Sequence, residues 1–150
     1  MAGIPSLRTV ALTLARLALG GIFLYAALNK IIDPLGFVTD ILHYRLIGYP
    51  VAVVVDFYLP WVELVCGVGV IFRWRERAAL SIISSLCVVF TIALFSAWLR
   101  GIDLSCGCFG HQAPASPLVA LTRTIALGLL AALLAWNSLG KTPPRENDAW

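Results

Sequence analysis

The sequence predicts an all-α membrane protein, a bundle of four transmembrane helices with a short interfacial helix between the first and the second. Three observations lead there. The 150 residues are 60% hydrophobic and only 13% charged, with a mean hydropathy of +0.89, so polar side chains are too few to cover a water-facing surface and lipid must take their place. The apolar residues gather in four runs, each near the ~20 residues that cross a ~30 Å hydrocarbon core. The basic residues, which give a net charge of +3, cluster between these runs, as membrane orientation requires and a nucleic-acid surface does not. Nucleic acid is thereby excluded as a partner.

The runs cover residues 10–32, 50–72, 78–99 and 117–136. The first is longer than the apolar region of a signal peptide, contains Arg16 and lacks a small-x-small cleavage site, so it reads as a retained span. The segment 34–48 that follows places Phe37, Ile41 and Tyr44 at helical spacing, with Thr39, Asp40 and His43 on other faces, which predicts a short helix in the interface. Ser116-Pro117 opens the fourth span with a capping residue and a proline at the first helical position. Residues 1–140 form one transmembrane domain in this reading, and the polar stretch 141–150 is a disordered tail. Arg8, Arg73, Arg75, Arg77, Lys141 and Arg145 fall on one side of the membrane, and Lys30, Arg45 and Arg100 on the other. Six against three places both termini in the cytoplasm and residues 100–116 on the outer face.

Ionisable groups within spans are costly, and they face the bundle interior in pairs. Arg16, Asp56, Glu63 and Arg123 are such groups. Depths counted at 1.5 Å per residue match Arg16 with Glu63 and Asp56 with Arg123, which predicts two inter-helix ion pairs. These pairs either specify packing or line a polar cavity for a ligand or a proton path.

The four cysteines divide. Cys66 and Cys87 lie within spans, where a free thiol packs as a small apolar group. Cys106 and Cys108 lie in Asp103-Leu-Ser-Cys106-Gly-Cys108-Phe-Gly-His111, on the side assigned as outer, where disulfides form. Gly107 lets the backbone bend enough to join them. So small a ring is strained, which favours exchange with a partner, and it constrains too little chain to stabilise a fold. A thiolate there would gain from the positive end of the fourth helix and from Arg100, while Asp103 opposes it. A structural bridge, and a metal site formed by Cys106, Cys108 and His111, stay open as alternatives.

In order along the chain, Arg16-Leu-Ala-Leu-Gly20, then Lys30 with Asp33-Pro34, then Leu59-Pro-Trp-Val-Glu63-Leu with Gly67, and last Arg100-Gly101 leading into Cys106-Gly-Cys-Phe-Gly110, the sequence resembles the methylamine-utilisation MauE family and, more distantly, DoxX-like membrane proteins. The resemblance runs from about Arg8 to Trp136. It implies a four-helix protein of the inner membrane, association with thioredoxin-like periplasmic proteins, and a part in maturing disulfide-rich partners such as the small subunit of methylamine dehydrogenase. It also implies Cys106 and Cys108 as the thiol pair and Arg16, Lys30 and Glu63 as the intramembrane polar set.

The function expected is a membrane thiol–disulfide relay, a thiol–disulfide oxidoreductase in enzymatic terms, in which Cys106 and Cys108 exchange with a thioredoxin-like partner and electrons pass to or from a quinone. Trp61, Phe95, Trp98 and Phe109 are candidate aromatic neighbours for such a cofactor, or simply interfacial anchors. Partners in this reading are the bilayer, the thioredoxin-like protein and a further copy of the chain. A non-catalytic assembly subunit and a carrier of a metal or small molecule are the competing functions.

Overall fold

The structure, a computed structural model, describes residues 7–102 and 117–139. Five helices run α1 (Leu7–Ile32), α2 (Pro34–His43), α3 (Tyr49–Ile71), α4 (Glu76–Leu99) and α5 (Pro117–Leu139), and no strand occurs among the described residues. Four of them are long and apolar enough to cross a membrane. Each predicted run lies on one of these helices, with ends moved by three residues or fewer. The expected tail, 141–150, lies outside the described residues, as do Asp103, Cys106, Cys108, Phe109, His111 and Ser116.

The helices form two antiparallel pairs, α1 with α3 and α4 with α5, joined chiefly through α3 and α4. Without a hydrophobic force between helices in lipid, close approach depends on small residues. In the first pair these are Gly20 and Gly67. A Cβ on Gly20 would meet the Ile71 side chain at 2.6 Å and the Gly67 carbonyl oxygen at 2.9 Å. In the second pair Gly128 lies against Cys87, where an added Cβ would come within 3.0 Å of the Cys87 Cβ. Between the pairs, Leu19, Val70, Leu80, Ile83 and Leu134 are fully enclosed. The outward faces carry Phe57, Tyr58, Val88, Ile92 and Trp136, the surface that acyl chains cover.

One end of the bundle, here the near end, holds the start of α1, the α3–α4 turn and the end of α5. Arg8 donates to the Asn137 side chain at 3.1 Å, and Arg77 donates to the Ser138 carbonyl at 2.8 Å, satisfying a C-terminal carbonyl that helix geometry leaves open. The connecting turn is tight, with Arg73 and Arg75 both at positive φ (59° and 47°).

The far end is organised by α2. Asp33 caps it, its Oδ1 accepting from the Gly36 N–H at 3.0 Å, and Pro34 follows in the first turn. The helix packs through Phe37, Val38 and Ile41 onto Ala52 of α3. Asp40, expected on a different face from Phe37 and Ile41, is buried beside them, because residues three apart on a helix are neighbours. Arg100, just past α4, donates to the carbonyls of Tyr44 (2.8 Å) and Arg45 (3.3 Å), which ties the start of the 100–116 segment to the end of α2.

Candidate functional site

Among the described residues two ion pairs are buried within the bundle, and neither is a predicted one. Arg16 donates through Nε to Glu76 Oε1 at 2.5 Å, and Glu76 also faces the exposed Arg73 at 3.5 Å. Lys30 donates through Nζ to both oxygens of Glu63, at 2.5 and 2.6 Å, with the two side chains each 3% exposed.

Register explains the correction. Gly20 sits against Gly67 and Ile71, so in an antiparallel pair Arg16 is level with the residues just past α3, where Glu76 opens α4. Counting depth from the helix ends misplaced it, because α1 begins beyond the level at which α3 stops. Glu63, correspondingly, is level with the second half of α1. Lys30 stands near the end of that helix, but a helical Cα–Cβ bond tilts toward the N-terminus, and the four-carbon arm carries the ammonium back into the bundle.

The other predicted pair is also absent. No ion pair joins Asp56 to Arg123 among the described residues, and Asp56 Oδ1 is enclosed without a hydrogen-bond partner. Pro60, four residues on and within α3, has no N–H to give the Asp56 carbonyl. Arg123 is exposed on α5, near its start.

The surroundings of the Lys30–Glu63 pair set it apart. Its ammonium lies 5.1 Å from the ring centre of Phe37 and 5.5 Å from that of Phe90, an arrangement in which aromatic faces stabilise a desolvated cation. The pair forms one wall of a cavity of about 60 Å³ whose other walls include Phe23, Ala26, Cys87, Phe90, Leu94 and Thr124. Cys87 and Thr124 also line a groove of about 290 Å³ between α4 and α5, which opens on the lateral, lipid-facing surface past Val88, Ile92 and Leu129. Ser84, on the wall of that groove, has its hydroxyl enclosed without a partner.

A model of the family described as methylamine utilisation protein MauE matches residues 8–137. The chain belongs to the MauE family. It is accordingly a multi-pass membrane protein of a family tied to methylamine utilisation. Searches of curated proteins and of solved structures gave no match.

In this MauE-family chain, Arg16, Lys30 and Glu63 are thus in the bundle interior, while Trp61 and Trp98 are about half exposed on outward faces. Trp61 stands near the middle of α3, some 18 Å from its start, which is too deep for an interfacial anchor. Glu76 and the cavity wall formed by Cys87, Phe90 and Thr124 were not distinguished by sequence. Glu76 sits in a charge-rich turn, Arg73-Trp-Arg75-Glu-Arg77, that reads as solvated. Cys66 and Cys87 are buried free thiols.

Proposed function

We propose that this MauE-family protein is a thiol–disulfide redox relay of the bacterial inner membrane. Cys106 and Cys108 exchange with a thioredoxin-like periplasmic partner, in support of the maturation of proteins such as methylamine dehydrogenase. The observation that carries this reading is the Cys106-Gly-Cys108 sequence between α4 and α5, within the span matched by the family. The connection leaves α4 at the far end of the bundle, the end nearer the Lys30–Glu63 cavity, and the Lys/Arg distribution orients that end outward. In one direction of turnover, a Cys106 or Cys108 thiolate attacks a partner disulfide and forms a mixed disulfide. The second thiolate then resolves it, leaving Cys106–Cys108 oxidised and the partner reduced by two electrons.

A Cys108→Ser variant tests this. Expressed in membranes with its natural partners, it should accumulate a mixed disulfide through Cys106 that dithiothreitol releases, and the captured protein should carry a thioredoxin-like dithiol. A variant that accumulates none and leaves the partners' thiol oxidation unchanged would instead mark a static scaffold.

A further inference from the structure

We propose that the turn between α3 and α4 is a docking site for the head group of an anionic phospholipid, held through Arg73 and Arg75. Position comes first. α3 has 23 residues and so rises about 34 Å, slightly more than the ~30 Å hydrocarbon core, which leaves residues 72–75 at the level of the lipid phosphates. Phe72 and Trp74 are both exposed there, and aromatic rings are at home among head groups. Arg73 and Arg75 flank Trp74 in the same short turn, so two guanidinium groups and two rings share one small stretch of the membrane edge.

Charge selects the class of lipid. Among the described residues the near end carries Arg8, Arg16, Arg73, Arg75 and Arg77 and a single acidic side chain, Glu76. At the far end, by contrast, Asp33, Asp40 and Asp56 offset Arg45, Arg100 and Arg123. Glu76 is buried and bonds Arg16 through Oε1, while its other oxygen lies 3.5 Å from Arg73. Arg75 is exposed and makes no hydrogen bond or ion pair among the described residues, so its five donors are open. A guanidinium meets a phosphate through two parallel N–H···O bonds, which suits the phosphodiester of a phospholipid. The surplus of positive charge favours a head group that has no cation of its own. The amino end of α4, which no side chain caps, adds its positive dipole end at the same place. A soluble acidic partner would meet the same charge but would have to strip lipid from Phe72 and Trp74, whereas a phospholipid satisfies the arginines and the rings together.

The test is native mass spectrometry of the full chain, released from detergent after titration with phosphatidylglycerol or with phosphatidylcholine. Phosphatidylglycerol should bind in preference. Arg75→Gln, whose native side chain has no bond to lose, should weaken that binding by about fivefold, the worth of one arginine at an anionic surface. The double variant Arg73→Gln, Arg75→Gln should weaken it by about 25-fold, and Arg45→Gln at the far end should leave it unchanged. Thermal melting in lipid-free detergent should show every variant folded, since all three side chains are exposed. Inorganic phosphate at the concentration of the lipid should not compete, because it has no tail to place beside Phe72 and Trp74; competition by it would mark a site for a free anion and overturn the lipid assignment. Equal binding of the two lipids, undiminished phosphatidylglycerol binding by Arg75→Gln and by the double variant, or an equal loss in Arg45→Gln would overturn it as well.

Discussion

The near and far halves of this bundle contain the same device, a buried ion pair between helices, in opposite surroundings. At the near end Arg16–Glu76 adjoins the close approach of α1 to α3, with Gly20 on Gly67 and the enclosed side chains Leu19, Leu80 and Ile83 close by. Farther along, Lys30–Glu63 faces two aromatic rings and a cavity, two of whose lining residues, Cys87 and Thr124, also line a lipid-facing groove. The difference teaches that a buried charge is not itself a functional sign. A pair sealed by close packing fixes helix register, whereas a pair beside open space with a donor to spare can hold a ligand.

The largest expected effect breaks the near pair. Glu76→Ala strands Arg16 and should cost about 3–5 kcal/mol in detergent unfolding followed by circular dichroism. Glu63→Ala should cost less, because Lys30 stands near the end of α1 and its long arm can carry the ammonium toward the interface. Equal losses at the two sites would erase the contrast between the halves.

Next in size is the close approach of α1 and α3. Gly20→Val must displace Ile71 and the Gly67 carbonyl, and should lower stability by about 1–3 kcal/mol. Gly21→Ala meets nothing within 4 Å and should raise it by about 0.5–1 kcal/mol. Thermal melts of the two variants, at consecutive positions on different faces of α1, check whether packing or glycine itself is responsible.

A third experiment separates stability from function. Neutralising either pair in full, by Arg16→Met with Glu76→Gln or by Lys30→Met with Glu63→Gln, strands no charge and should leave the fold intact. Only the far double substitution should alter the partner's thiol oxidation state, read by thiol alkylation in cells. The smallest effect belongs to the near-end turn. Arg75→Gly relieves a positive φ of 47° and should stabilise by about 1 kcal/mol or less, with no change in redox behaviour.

The extent to which this was legible in sequence follows the range of the forces involved. Four spans are written in local hydropathy, and α2 in a local signature, the Asp33-Pro34 cap with Phe37 and Ile41 one turn apart. Arg16 and Glu63 were legible as interior charges, because lipid penalises them wherever they stand, whereas Glu76 reads as part of a solvated turn and Arg123 is exposed. Their partners were not. Pairing depends on the register of α1 against α3, set by the Gly20–Gly67 contact and by how far α1 extends beyond α3, and on the reach of one lysine back along its own helix. Cys87, Phe90 and Thr124 look like ordinary span residues, since a cavity is a property of three helices and not of any one of them.

The central claim, that the far end carries a working thiol pair, is tested most directly by the oxidation state of Cys106 and Cys108 in native membranes, read by mass-tagged alkylation. Membranes are reduced with dithiothreitol, washed and sampled over time with the thioredoxin-like partner present. The pair should reduce readily, as a strained two-residue-spaced disulfide does, and on addition of the partner the oxidation states of the two should change together and in opposite directions. A Cys106–Cys108 pair that resists reduction, or that never exchanges while the partner's thiols change state, would contradict the account.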